Sequence, residues 1–245
     1  MVSEYDEDRE AVINRALEAG VSSIVAIGMN VETSLAAIAL AEKYNNIYAT
    51  VGIHPGEVSD AKDADFEEIS RIADHPRVVG IGETGLDFHW DTSAVDTQID
   101  FFRQHIRLAR STDLPVVVHD RDAHDAVLSV LNEEDASAGV VLHCFSGDEV
   151  MATVAARAGY YLGFGGIVTF KNVSLGNVIN AIPSDQLLIE TDSPYLSPHP
   201  FRGRRNEPAR VVHTAETVAR LLNITFEELA QITTQNARTV FNLPA

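Results

Sequence analysis

Cysteine is almost absent from this 245-residue chain: Cys144 stands alone, so no internal disulfide can form, and the composition suits a reducing compartment. Lysine is nearly as scarce, being confined to Lys43, Lys62 and Lys171. Lys and Arg together number 18 against 36 Asp and Glu, a formal net charge of −18. That balance opposes broad electrostatic binding along duplex phosphates, which relies on many cationic contacts. It leaves room for a small cationic patch, or for a metal that reverses the field locally. Otherwise it reads as a solubilising surface. No apolar run approaches the roughly 20 residues that a membrane span requires. The first residues are acidic and polar, unlike a secretory signal. The expectation is a soluble, cytoplasmic protein with no membrane association and no obligate protein partner.

What is present is a regular alternation of short β-branched runs and amphipathic stretches. The pattern predicts strands over 21–27, 47–53, 78–81, 115–118, 140–142, 160–164 and 187–189. Helices are expected from Asp6 to a stop at Gly20, then over 33–44, from Asp65 with Glu68 as a capping box, and over 98–110, 123–131, 149–157 and 175–182. Two more close the chain, over 209–222 and 226–236, the last capped by Thr225 with Glu228. Strands alternating with helices predict an α/β fold with a parallel sheet, a (β/α)8 TIM barrel treated as one domain over residues 1–245. Such a barrel wants eight strands. The chain opens on a helix, so the strand missing from the count is the first.

The strands end in ligand-type side chains. The run Arg77-Val-Val-Gly-Ile-Gly-Glu-Thr-Gly-Leu-Asp-Phe-His89 begins as a buried strand and breaks at Gly82, leaving the Glu83 carboxylate at its end. His119, His143 and Asp192 follow three other strands, and all four would project from one rim. Two histidines and a carboxylate with an open position suit a catalytic zinc, manganese or similar ion. Asp192 supplies a second carboxylate, able to bind a second ion or act as a general base. His54, in Gly52-Ile-His-Pro55, either faces the same pocket or caps a turn. His124 and Arg121 follow His119 closely and read as supporting or substrate groups. His75, His105 and His213 read as surface residues on helices, and Cys144 as a small buried residue rather than a nucleophile. Arg202, Arg204 and Arg205 crowd the loop after Asp192, where arginine forks would match phosphate oxygens or pair with local carboxylates.

Several motifs together resemble the TatD family of metal-dependent deoxyribonucleases. They are Gly80-Ile-Gly-Glu-Thr-Gly-Leu-Asp-Phe88, Val118-His-Asp-Arg-Asp-Ala-His124, Leu142-His-Cys-Phe-Ser-Gly147, Gly165-Gly-Ile-Val-Thr-Phe-Lys171, Glu190-Thr-Asp-Ser-Pro-Tyr-Leu196 and Arg202-Gly-Arg-Arg-Asn-Glu-Pro208. The likeness runs from the first helix to the C-terminus. It implies an amidohydrolase-type TIM barrel that hydrolyses phosphodiesters with divalent ions (Mg, Mn or Zn), two in the family. Carried over by motif, Glu83 would bridge the metals, His119 and His143 would complete one site, and Asp192 would belong to the other. The resemblance also places His54 and Arg205 at the substrate pocket. The family normally starts with a strand bearing His-x-His; the sequence opens just past that point, so either the true start lies upstream of Met1 or the protein lacks that strand. The expectation is therefore one intact metal site, with the other reduced to Glu83 and Asp192.

The resulting expectation is a deoxyribonuclease acting on DNA ends or single strands. Hydrolysis of a small ester or amide is an alternative on the same scaffold. A metal-poor, non-catalytic binding protein is the reading for a chain that truly lacks the first strand.

Overall fold

Amphipathic and β-branched segments condense as their periodicities dictate, and the computed structural model describes residues 3–89 and 94–244. In chain order the elements are α1 (Arg9–Glu18), β1 (Ile24–Ala26), α2 (Val31–Lys43), β2 (Ile47–Val51), α3 (Asp63–Ile72) and β3 (Val78–Asp87). They continue with α4 (Val95–Thr112), β4 (Val116–Arg121), α5 (His124–Glu133), β5 (Val140–Leu142), α6 (Glu149–Arg157) and β6 (Tyr161–Phe164). The last are α7 (Gly176–Asn180), β7 (Leu187–Ile189), α8 (Val211–Leu222) and α9 (Phe226–Val240). Met1, where the sequence count placed the shortfall of one strand, lies outside the described residues. Among the described residues no helix is long and apolar enough to cross a membrane.

The chain forms two compact units. One comprises Ser23–Ser146 with Val240–Leu243 and holds β1 to β5. These strands are parallel and hydrogen-bonded in chain order, with registers such as Ile24↔Ile47, Val51↔Ile81, Gly85↔His119 and Val118↔Leu142. Helices α2 to α5 make the crossovers, the winding on which α/β barrels are built. Ile47, Val51, Ile81, Leu86, Phe102, Ile106, Val118 and Leu142 are all buried. The other unit, the N-terminal residues to Ser22 with Gly147–Thr239, pairs β6 with β7 in parallel through Leu162↔Leu187.

Of the boundaries that differ from expectation, several have a clear local reason. The Val21 N–H closes the end of α1 on Ala16 O at 2.9 Å, around Gly20 at φ +85°, so β1 starts later than residue 21. Helix α3 opens two residues before Asp65, whose carboxylate accepts from Lys62 N at 2.8 Å, while Glu68 pairs with Arg71. The Thr225–Glu228 box forms as read. Strand β3 does not stop at Ile81. It continues to Asp87, and β4 lengthens beside it to Arg121, so Glu83 and His119 lie within strands.

Glycines permit that extension. Gly82 and Gly85 adopt φ of +137° and +135°, where an L side chain is strained. A Cβ at Gly85 would lie 2.1 Å from His119 O, and one at Gly82 would lie 2.4 Å from Val117 O. Gly85→Ala is therefore expected to destabilise the protein by about 2–3 kcal/mol and to displace His119. Urea unfolding checks the first effect and metal affinity the second; a variant that matches the parent in both would contradict this account.

Candidate metal centre

Parallel strands present all their C-terminal ends on one edge, so residues near those ends converge. In the first unit β2 leads to His54, β3 carries Glu83, β4 carries His119, and β5 leads to His143. Glu83 is only 7% exposed, and its Oε1 is the focus. His119 Nδ1 lies 2.8 Å from it, His143 Nε2 3.1 Å and His54 Nε2 3.6 Å. His54 Nε2 is also 3.3 Å from His119 Nδ1, the two rings meeting edge to face with centroids 4.5 Å apart.

Burial alone would push the Glu83 carboxyl up. The surrounding imidazoles, His143 foremost and then His119 and His54, outweigh it and hold the group well below the usual carboxylate range. The His54 ring responds in the opposite direction, its pKa lowered chiefly by burial.

His54 turns out to satisfy both of its readings. Its Nδ1 accepts from Gly56 N–H at 3.0 Å, capping the turn at Pro55–Glu57. A neutral imidazole whose Nδ1 accepts carries its proton on Nε2, so His54 offers the site an N–H. Proximity alone groups His54 with Glu83 and His119 as potential ligands. The proton on Nε2 makes it a hydrogen-bond donor instead. His119 and His143 remain as electron-pair donors beside the Glu83 oxygen. Two ring nitrogens within 3.1 Å of one carboxylate oxygen need a cation among them, a proton or a metal ion. Nitrogen and carboxylate oxygen are the donor set of zinc and similar ions, so these residues fit a divalent metal.

The model of the TatD-related DNase family matches residues 1–242. The chain belongs to this family. It is a metal-dependent hydrolase, and the metal-dependent hydrolase YabD of Bacillus subtilis is 46% identical to it over 98% of this chain and 95% of the relative. The Salmonella typhimurium protein named 3'-5' ssDNA/RNA exonuclease TatD is 36% identical over 98% of this chain and 95% of its own. The crystal structure of YjjV, a TatD homologue from Escherichia coli K12, superposes with a TM-score of 0.94 at 32% identity, covering 99% of this chain and 95% of the other. The α/β barrel hydrolase fold expected from the sequence is thus the fold of the family.

The remaining candidate residues of this TatD hydrolase are placed as follows. His124 opens α5, its Nδ1 2.8 Å from Asp120 Oδ2 and its ring partly exposed. In the second unit, Asp192 follows β7, half-buried, in the left-handed region at φ +52°. Arg202 lays its guanidinium over the Phe170 ring, 3.6 Å from the centroid. Arg205 grips both oxygens of Asp8 at 2.8 and 2.6 Å, bonds Glu4 O, and stacks on Tyr5. Asp8 and Arg205 are both well hydrated, so the pair is weak in water and screened by salt.

Two site-adjacent residues escaped the reading of the sequence. Asp87 reaches His119 from behind, its Oδ2 3.1 Å from Nε2. The signal was present: residues 83, 85 and 87 alternate along one strand and share a face. His105, expected on the surface, is fully buried. It lies three residues from Phe102 and four from Phe101 on α4, which the helical period places inward.

Proposed function

We propose that this TatD-family hydrolase is a deoxyribonuclease that cleaves phosphodiester bonds of DNA at ends or in single strands, using Mg, Mn or Zn. The observation that carries the proposal is the convergence of His119 and His143 on Glu83 Oε1. The relatives named as single-strand exonucleases support nucleic acid as substrate. The net charge of −18 favours a small footprint over wrapped duplex. One hydrolase domain over residues 1–245 is supported by the span of the family model. A cytoplasmic location is supported by the single Cys144, which can form no internal disulfide.

Glu83, His119 and His143 hold the ion in this reading, and Asp192 belongs to a second metal position or serves as base toward the attacking water. A bound divalent ion supplies Lewis acidity to a phosphoryl oxygen and activates water at neutral pH. The chain's own groups do the rest. His54 donates its Nε2 proton to a phosphate oxygen. Arg202, Arg205 and His124 are substrate-binding groups in this reading, and Arg205 exchanges Asp8 for phosphate when substrate arrives. Glu83, ionised by its imidazole surroundings, counterbalances the positive charge of the site.

Labelled single-stranded DNA incubated with manganese tests this. Chelation should abolish cleavage. Arg202→Ala and Arg205→Ala should each keep their metal yet lose about 1.5–3 kcal/mol of transition-state binding, roughly 10- to 100-fold in turnover of DNA. Normal DNA kinetics in both variants would return the loop to surface ion pairing. Efficient hydrolysis of a small ester with no cleavage of DNA would overturn the substrate.

A further inference from the structure

Asp87 sits four residues beyond Glu83 on β3 and is 6% exposed. Burying a carboxylate is costly unless every polar atom is engaged, and in Asp87 every polar atom is. Its N–H donates to Gln98 Oε1 at 2.9 Å, and its carbonyl accepts from Gln98 Nε2 at 3.1 Å. Gln98, itself 2% exposed on α4, thus clamps the Asp87 backbone from both sides. Asp87 Oδ1 accepts from His89 N–H at 2.9 Å. That leaves Oδ2, which points at His119 Nε2, 3.1 Å away.

The two carboxylates therefore take opposite nitrogens of one ring: Glu83 faces Nδ1 and Asp87 faces Nε2. An imidazole that gives an electron pair to a cation has one nitrogen for the cation and keeps its proton on the other. We propose that Asp87, clamped by Gln98, is the positioning residue that holds the His119 proton on Nε2 and so directs the Nδ1 lone pair at the cation site beside Glu83. The inference rests on the metal site proposed above. Asp87 stands behind the ligand rather than beside it, since the ring separates its carboxylate from Glu83 Oε1. Such a partner fixes both the tautomer and the rotation of a metal-binding histidine.

The bland alternative is a hydrogen-bonding hub that joins β3 to α4 and has no effect on the ligand. Chelator-competition titrations of the metal-free full-length protein with Zn2+ separate the two, with Asp87→Asn, Asp87→Ala and His119→Ala compared to the parent. The amide oxygen of asparagine still accepts the Nε2 proton but lacks the charge. Zinc affinity should therefore fall about 10-fold in Asp87→Asn and about 100-fold in Asp87→Ala. In the zinc-loaded parent, imidazole 15N spectra should report the Nε2–H tautomer of His119, with a second tautomer appearing in Asp87→Asn. A hub would lower the melting temperature of these variants without changing the zinc affinity of the folded protein or the tautomer. Should Asp87→Ala fail to fold, the near-isosteric Asp87→Asn carries the measurement. Parental affinity and tautomer in Asp87→Asn, with zinc lost in His119→Ala, would overturn the positioning role and leave the metal site standing. Parental zinc affinity in His119→Ala would overturn both.

Discussion

Glu83→Gln is expected to empty the site of metal and to lower hydrolysis by roughly a thousandfold or more, about 4 kcal/mol of lost charge stabilisation. The substitution changes almost nothing in shape. It replaces the one anionic oxygen on which His119, His143 and His54 converge at 2.8, 3.1 and 3.6 Å. An amide supplies neither the charge that attracts a divalent ion nor two acceptor oxygens. Its NH2 group, turned toward the rings, would donate to the lone pairs that would otherwise hold a cation. His119→Ala and His143→Ala should follow the same course with a somewhat smaller loss of affinity, since each removes one donor of the set. Metal analysis of the purified variant, together with turnover in added manganese, measures both parts. Full metal content with parental turnover in Glu83→Gln would remove this cluster from the catalytic centre.

His105 governs a second large effect, on stability rather than chemistry. Its Nδ1–H donates to Phe101 O at 2.7 Å, and its Nε2 accepts from Ile53 N–H at 3.0 Å. Both nitrogens are committed to the neutral form. Desolvation lowers its pKa from 6.5 to about 4, the Phe101 carbonyl resisting only in part. Because the folded pKa is depressed, the unfolded chain binds the extra proton first as pH falls. The stabilisation is complete above pH 6.5, begins to erode there, and is exhausted near pH 4. The total is about 3 kcal/mol from this group alone. Carboxylates also contribute at the acid end, so the difference between the parent and His105→Gln isolates the histidine. Urea midpoints of the parent should slope downward from pH 6.5, while those of the variant should be flatter. Parallel curves would show that His105 does not titrate in this way. The same ring anchors Ile53, next to His54, so the variant should also loosen the donor that His54 offers the site.

Much of the molecule was legible because the patterns that matter are local. The runs at Val140–Leu142 and Leu187–Ile189 are strands to the residue, as continuous apolar stretches should be, and the run expected over 47–53 is a strand as far as Val51. Helix α6 occupies Glu149–Arg157 as read. Two glycines ordinarily end a strand, and Gly82 with Gly85 suggest a stop at Ile81, whereas here they let the neighbouring strand press close and β3 continues to Asp87. The polarity of His105 suggests the surface, but its position on the apolar stripe of α4 buries it.

The sequence by itself determined the order of strands and helices, and it set Glu83, His119 and His143 on successive strands, toward or just beyond their C-terminal ends. Parallel pairing does the rest, since every such end falls on the same edge, and the chemistry of nitrogen and carboxylate donors then names a metal. Only the tertiary structure decided which nitrogen of each ring is used, and by whom. The turn at Pro55–Glu57 takes Nδ1 of His54, making it a donor. The lengthened β3 brings Asp87 against His119, and α4 supplies the Gln98 that steadies it. Arg205 meets an aspartate 197 residues away in the chain. Proton placement and ion pairing depend on distances of a few tenths of an ångström between segments remote in sequence. No local pattern encodes such distances, because they are set by register, crossover and packing acting together.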